Sequence, residues 1–155
     1  MSAVLRPGRK SDLDALVAIE AAAFAGDRIS RRSFRRFLGA PTASLIVAEE
    51  DGIVAGYALL LFRSGSRRAR LYSLAVGPSR RGTGLGRLLL GAAETEAARR
   101  GARAVGLEVR EDNRRAATLY ERNGYVPAGI IPGYYADGMA ALRYVKALAE
   151  GTGHR

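Results

Sequence analysis

Arg80-Arg81-Gly82-Thr83-Gly84-Leu85-Gly86 sets three glycines two residues apart behind a pair of arginines. An apolar run from Ala69 to Val76 precedes it and reads as a strand. After it, Leu88, Leu89, Ala92, Ala93 and Ala97 recur at helical spacing until Gly101. A strand, a glycine loop and a helix start in that order turn backbone N–H groups and a positive helix end toward an anion. Glycines at 82, 84 and 86 allow close approach and positive φ, and Arg80, Arg81 and Arg87 add positive charge. A Walker-type phosphate loop is excluded, because Thr83 stands where the lysine is required. A dinucleotide fingerprint is disfavoured by the Gly-x-Gly-x-Gly spacing deep in the chain. A tight turn whose glycines serve only packing stays open at this point.

Outward from the loop, the chain reads as β-α-α-β-β-β-α-β-α-β-β. Ala3 to Arg6 is a short strand ended by Pro7-Gly8. Ser11 to Asp14 resembles a capping box for a first helix reaching about Phe24. Ser30 caps a second helix, which Gly39 and Pro41 stop. Ser44 to Glu50 and Ile53 to Arg63 are strands joined by Asp51-Gly52, a two-residue hairpin signal. Ala104 to Val109 is a strand. Asn113 caps a helix through Asn123, with Gly124 at its end. Val126 to Ile131 and Ala140 to Lys146 form a closing pair. This order predicts one α/β domain over residues 1–148, with a mostly antiparallel sheet, a β-α-β crossover and a frayed tail at 149–155.

Composition bounds the function. The 155 residues contain no cysteine, which excludes a disulfide scaffold, a thiolate metal site and a cysteine nucleophile. The one histidine, His154, excludes a histidine-based triad. No metal is expected. The longest apolar run, Val54 to Phe62, is far short of the ~20 residues of a membrane span. With no secretory signal visible, a cytoplasmic protein without membrane contact is expected. The net charge is +10, and only Lys10 and Lys146 among the 25 basic residues are lysine. Residues 28–48 carry five arginines and no acid, and residues 52–93 carry seven and no acid. That layout suggests an anionic partner; codon bias is the plainer explanation for the choice of arginine over lysine.

Arg81-Gly82-Thr83-Gly84-Leu85-Gly86 fits the Q/R-x-x-G-x-G/A motif and resembles the GNAT superfamily of acyl-CoA-dependent N-acetyltransferases. The resemblance covers nearly the whole chain. It implies the GNAT fold, a mixed, mostly antiparallel α/β (α+β) sheet of about seven strands flanked by four helices. It also implies acetyl-CoA as cosubstrate. By that resemblance the cofactor-binding residues are Leu74, Ala75 and Val76, along the pantetheine arm, and Arg81, Gly82, Thr83, Gly84, Leu85, Gly86 and Arg87, around the pyrophosphate, together with Asn113.

LEVREDN (Leu107 to Asn113) and AATLYERNGY (Ala116 to Tyr125) resemble the RimI-like branch, the ribosomal-protein-alanine and other N-terminal acetyltransferases. Period-2 alternation puts Val105, Leu107 and Val109 on one face and Gly106, Glu108 and Arg110 on the other. Asn113 and Tyr120 are seven apart and share a helix face. By themselves these positions also fit a solvent-facing strand glutamate, an N-cap and a core aromatic. Acyl transfer to an amine needs the neutral amine, whereas an α-amino group has a pKa of about 7.7–8.0 and a lysine about 10.4. A general base is therefore required. The resemblance implies Glu108 as that base and Tyr120 as the acid for the leaving thiolate, across a tetrahedral intermediate. It implies substrate contacts from Phe24, Arg28 and Ile29 and from Tyr134 and Tyr135. Met139-Ala140-Ala141 replaces acidic residues common there in the branch.

The expected function is acetyl transfer from acetyl-CoA to a protein or peptide N-terminus. The alternatives are a lysine or small-molecule amine as acceptor, or a GNAT-like module binding RNA or an acidic partner. Coenzyme A accounts for Arg80, Arg81 and Arg87. A ribosomal or other acidic partner is the expectation for the arginines at 28–36 and 63–70.

Overall fold

The structure, a computed structural model, describes residues 3–149. The described residues form one seven-stranded sheet with four α-helices. In chain order these are β1 (Val4–Pro7), α1 (Leu13–Ala23), α2 (Arg31–Gly39), β2 (Ala43–Glu50), β3 (Ile53–Leu61) and β4 (Arg68–Val76), then α3 (Leu85–Arg99), β5 (Ala104–Arg110), α4 (Arg114–Arg122), β6 (Val126–Ile131) and β7 (Ala141–Ala147). The expected tail lies outside the described residues, apart from Ala149. Among the described residues no helix is long and apolar enough to cross a membrane.

The strand order is β1-β2-β3-β4-β5-β7-β6, antiparallel throughout except β4 with β5. The parallel pair follows from the β4-α3-β5 crossover. β7 returns between β5 and β6, so the closing pair flanks β5 through its second strand. Asp51 and Gly52 turn the β2–β3 hairpin with φ of 53° and 78°, the left-handed pair that such a tight turn requires.

Two apolar layers cover the sheet. On one face Leu85, Leu89, Ala93 and Ala97 of α3 and Tyr120 of α4 pack on Leu60, Leu71, Val105 and Leu107. On the other, Leu16, Ile19 and Phe34 of α1 and α2 pack on Val47, Tyr57 and Leu59. The start of α1 differs from the expected box at Ser11 to Asp14. A 3-10 turn over Lys10–Asp12 precedes the helix, and the buried Asp12 carboxylate accepts from the Arg9 N–H at 2.7 Å. Arg6 grips the same carboxylate at 2.9 and 3.0 Å. Asp14 instead lies exposed and pairs with Arg31 at 2.7 Å.

Two irregularities in β4 shape the centre of the sheet. β4 pairs with β5 only over Arg68 to Arg70, opposite Ala104 to Gly106, so both strands carry free facing edges beyond that point. On its other side β4 stays paired with β3 as far as Val76. The register against β3 also jumps, with Leu59 opposite Ser73 and Leu60 opposite Leu71, which leaves Tyr72 as an extra bulged residue. The bulge changes which residues face which layer. Leu71, Leu74 and Val76 pack toward α3, while Ala75 packs toward α1 and α2.

Candidate active site

The glycine loop lies between the end of β4 and the start of α3. Gly82 and Gly84 have φ of 78° and 88°, and Gly84 is the residue that caps α3. A side chain at either position would be strained. Gly86, expected to share this geometry, has no such φ: it lies inside the first turn of α3, close to Leu119 and Val76. The Thr83 N–H is taken by the Arg80 carbonyl. The N–H groups of Gly82, Gly84, Leu85, Gly86 and Arg87 have no backbone acceptor among the described residues. A helix start leaves such donors free, and they form a ready anion site.

The arginines around this loop are not equivalent. Arg80, expected to be a mobile charge, is pinned by an ion pair with Glu50. Arg81 and Arg87 are exposed, with no acidic partner among the described residues. The free edge of β4 from Leu71 to Val76 leads from this loop along the opening toward β5. Five N–H donors, two arginines and a strand edge fit a diphosphate joined to an amide-bearing arm, which is the chemistry of coenzyme A.

Glu108 and Tyr120 lie on opposite faces of the sheet. Val105, Leu107 and Val109 point into the α3/α4 layer, so alternation sends Gly106, Glu108 and Arg110 to the α1/α2 side. Tyr120 belongs to the α3/α4 layer and packs edge-on to Tyr125, with ring centroids 5.7 Å apart. Its hydroxyl has no hydrogen-bond partner among the described residues, yet it is not sealed from solvent. Burial, with a smaller contribution from Tyr135, pushes its pKa above the ordinary phenol value. Asn113 caps α4, its side-chain oxygen accepting from the Ala116 N–H at 3.1 Å.

Glu108 does not face solvent alone. Arg70 Nε and Nη2 each lie 3.0 Å from its Oε1. Arg143, directly opposite in the β5–β7 register, is 3.5 Å from its Oε2. Arg70 also donates to the Tyr134 hydroxyl at 2.7 Å and lies over the Tyr72 ring. Tyr134 stacks edge-on with Tyr135, whose ring lies under Arg110. Burial, with the nearby Tyr134, pushes the Tyr135 hydroxyl up to about 12.

The α1–α2 loop and the β6–β7 loop meet beside this cluster. Asp27 accepts from the Ala136 N–H, and Arg28 donates to the Phe24 carbonyl at 2.6 Å. Phe24 is half-buried, and Tyr134 is exposed on the opposite loop. Ile29, expected among the substrate contacts, is buried with Leu16 and Phe34 and does not present its side chain. Its N–H donates to Glu20 at 2.8 Å, deep under the loop. Sequence reasoning placed the Phe24 to Ile29 loop here but missed Arg70, Arg143 and the contact that Asp27 makes. Only the register of β4 and β7 against β5, and a contact across most of the chain, bring them here.

Comparison with known proteins agrees with this architecture. A family model described as the acetyltransferase (GNAT) family matches residues 13–125. A Bacillus subtilis (strain 168) protein named a putative ribosomal protein bS18-alanine N-acetyltransferase is 33% identical over 87% of this chain and 88% of its own. The ribosomal-protein-S18-alanine N-acetyltransferase of Escherichia coli superposes with a TM-score of 0.85 at 27% identity, covering 99% of each chain. The ribosomal-protein-alanine N-acetyltransferase of Brucella melitensis gives 0.81 at 25% identity, covering 94% of this chain and 99% of that one. The chain belongs to the GNAT family and is an acetyl-CoA-dependent N-acetyltransferase.

Proposed function

We propose that the enzyme acetylates the N-terminal α-amino group of a protein or peptide, with Glu108 as base and Tyr120 as acid. The observation that carries the chemistry is the opening between β4 and β5. It has a carboxylate on one face and, on the other, a phenol with no hydrogen-bond partner among the described residues. The activities for which the Bacillus and Escherichia relatives are named support an N-terminal acceptor, with a ribosomal protein such as bS18 among the candidates.

Bound acetyl-CoA supplies an activated acetyl thioester. Gly82, Gly84 to Arg87 and the Arg81 and Arg87 side chains would hold its diphosphate. The β4 edge at Leu74, Ala75 and Val76 would direct its arm into the opening. Glu108 takes a proton from the acceptor amine, directly or through one water, which frees the nitrogen lone pair. Tyr120 gives its phenolic proton to the departing sulfur and regains one from solvent. A phenol, with an ordinary pKa of about 10, carries that proton at neutral pH. The Phe24 to Arg28 loop and the Tyr134–Tyr135 segment form the walls of the acceptor groove.

The test is a panel of acceptors with acetyl-CoA, followed by thiol release. It contains free N-terminal peptides including that of bS18, the same peptides N-blocked with one lysine, a polyamine and an amino sugar. Turnover concentrated on free N-termini supports the reading. Turnover of the lysine or small-amine arms with inert N-termini overturns it.

A further inference from the structure

We infer that the acceptor carries an acidic group next to its amine, and that Arg70 is the residue that reads it. The inference rests on the N-terminal acceptor proposed above and specifies its class as N-termini with Asp or Glu in the second position.

The floor of the groove holds two cations for one anion. Arg70 and Arg143 both reach Glu108, and their side chains remain 42% and 44% exposed. Arg70 is held in place by the Tyr72 ring, the Tyr134 hydroxyl and the Glu108 carboxylate. A guanidinium fixed in this way is pre-organised for a second carboxylate. The positive wall continues away from Glu108. Tyr72 packs against Phe37 of α2, Arg36 lies over Phe37, and Arg32 and Arg35 are exposed on the same helix.

The acids near the groove are engaged elsewhere. Asp137 and Asp112 are bound by Arg110, and Arg110 holds the Asp137 carboxyl well below the usual range. Asp27 is engaged by the Ala136 N–H. The segment Met139-Ala140-Ala141 offers no carboxylate to a basic second residue. An acidic second residue drawing on Arg70 would also loosen its grip on Glu108 Oε1, so the right acceptor uncovers the base that deprotonates it.

Three peptides identical except for Ala-Glu, Ala-Gln or Ala-Arg at their start test this, with thiol release as the readout. We expect kcat/KM to fall in that order, with about a tenfold span between Glu and Arg for a charge-assisted pair. The span should shrink in high salt, where exposed charges are screened. Arg70→Gln should bring the ratio close to one, and Arg70→Lys should keep part of it. Equal or reversed order in the wild type, or an unchanged ratio in a folded Arg70→Gln, overturns the inference. If Arg70→Gln fails to fold, inhibition of the wild type by acetyl-Ala-Glu against acetyl-Ala-Arg peptides decides the matter, with tighter binding of the acidic product expected. Free glutamate serves as a separate arm. Turnover of glutamate with no peptide turned over removes the N-terminal acceptor and keeps the acid preference. Peptides turned over without any order remove the acid preference alone. No turnover in either arm removes both.

Discussion

Asp27 and Ala136 are 109 residues apart in the chain, yet both carboxylate oxygens of Asp27 lie 3.3 Å from the Ala136 nitrogen. The contact joins the α1–α2 and β6–β7 loops, which border the proposed acceptor groove. Asp27 holds a φ of 53°, which Asp tolerates better than most side chains. Asp27→Ala should raise the acceptor KM several-fold and leave that of acetyl-CoA unchanged, since the loss of one exposed hydrogen bond costs about 1 kcal/mol. Asp27→Gly separates the causes. It relieves the backbone but still lacks the carboxylate, so the acceptor KM should rise there too. A normal KM in Asp27→Gly would assign the effect to strain.

Glu108→Gln should lower kcat by about 10²- to 10⁴-fold, the usual range for loss of a general base. Its acetyl-CoA dissociation constant should stay near that of the wild type, because the glycine loop lies on another part of the fold. Titration calorimetry beside steady-state kinetics reads both values. Undiminished turnover would remove Glu108 from the role.

Tyr120→Phe offers a sharper separation of catalysis from folding. The hydroxyl has no partner among the described residues, so its removal should change stability by less than about 0.5 kcal/mol. The kcat should nevertheless fall about ten- to hundredfold or more. A lowered Tm with unchanged kcat would make Tyr120 a packing residue only.

Gly84→Glu places a side chain where φ is 88° and a negative charge among the free N–H groups of α3. Both effects oppose a bound diphosphate. Acetyl-CoA affinity should drop more than tenfold, measured by calorimetry, and Gly84→Ala should fall in between. Wild-type affinity in Gly84→Glu would refute the loop as the diphosphate site.

The Arg6 hydrogen bonds lower the pKa of the buried Asp12 carboxyl, against its desolvation. A lowered folded pKa adds stability above the unfolded value of about 3.9, and that stability is lost as pH falls through the folded value. Asp12→Asn should therefore be less stable than the wild type by about 2 kcal/mol at pH 7. The gap should narrow as the pH drops below about 4. Urea unfolding at a series of pH values measures this, and a gap constant down to pH 2 would contradict the assignment.

What the sequence shows best is local. The glycine loop, the Ser30 and Asn113 caps, the Asp51-Gly52 turn and the face of Glu108 follow from neighbours within a few residues. What it hides depends on pairing between distant segments. The bulge at Tyr72 exists only against β3, and no spacing within β4 announces it. Arg70 reaches Glu108 because Arg70 pairs with Gly106, and Arg143 because it lies across from Glu108. Arg80 is a free charge by its neighbours alone, and only the fold brings Glu50, thirty residues earlier, to hold it. The start of the first helix is hidden for a related reason: Asp12 answers to Arg6 as well as to the Arg9 N–H.

The parting of β4 and β5 gives this sheet an internal rim. An open rim at the outside of a sheet invites strands from other molecules. Here it lies inside the sheet, with β3 paired to one flanking strand and β7 to the other, so it is not an outer edge. The two halves are bridged across it by three strand-paired positions on each side. A molecule that pairs with both rims therefore ties the halves together, and mass action makes the gain grow with its concentration over its dissociation constant. Bound acetyl-CoA should therefore raise the unfolding temperature, and by more as its concentration rises over its dissociation constant.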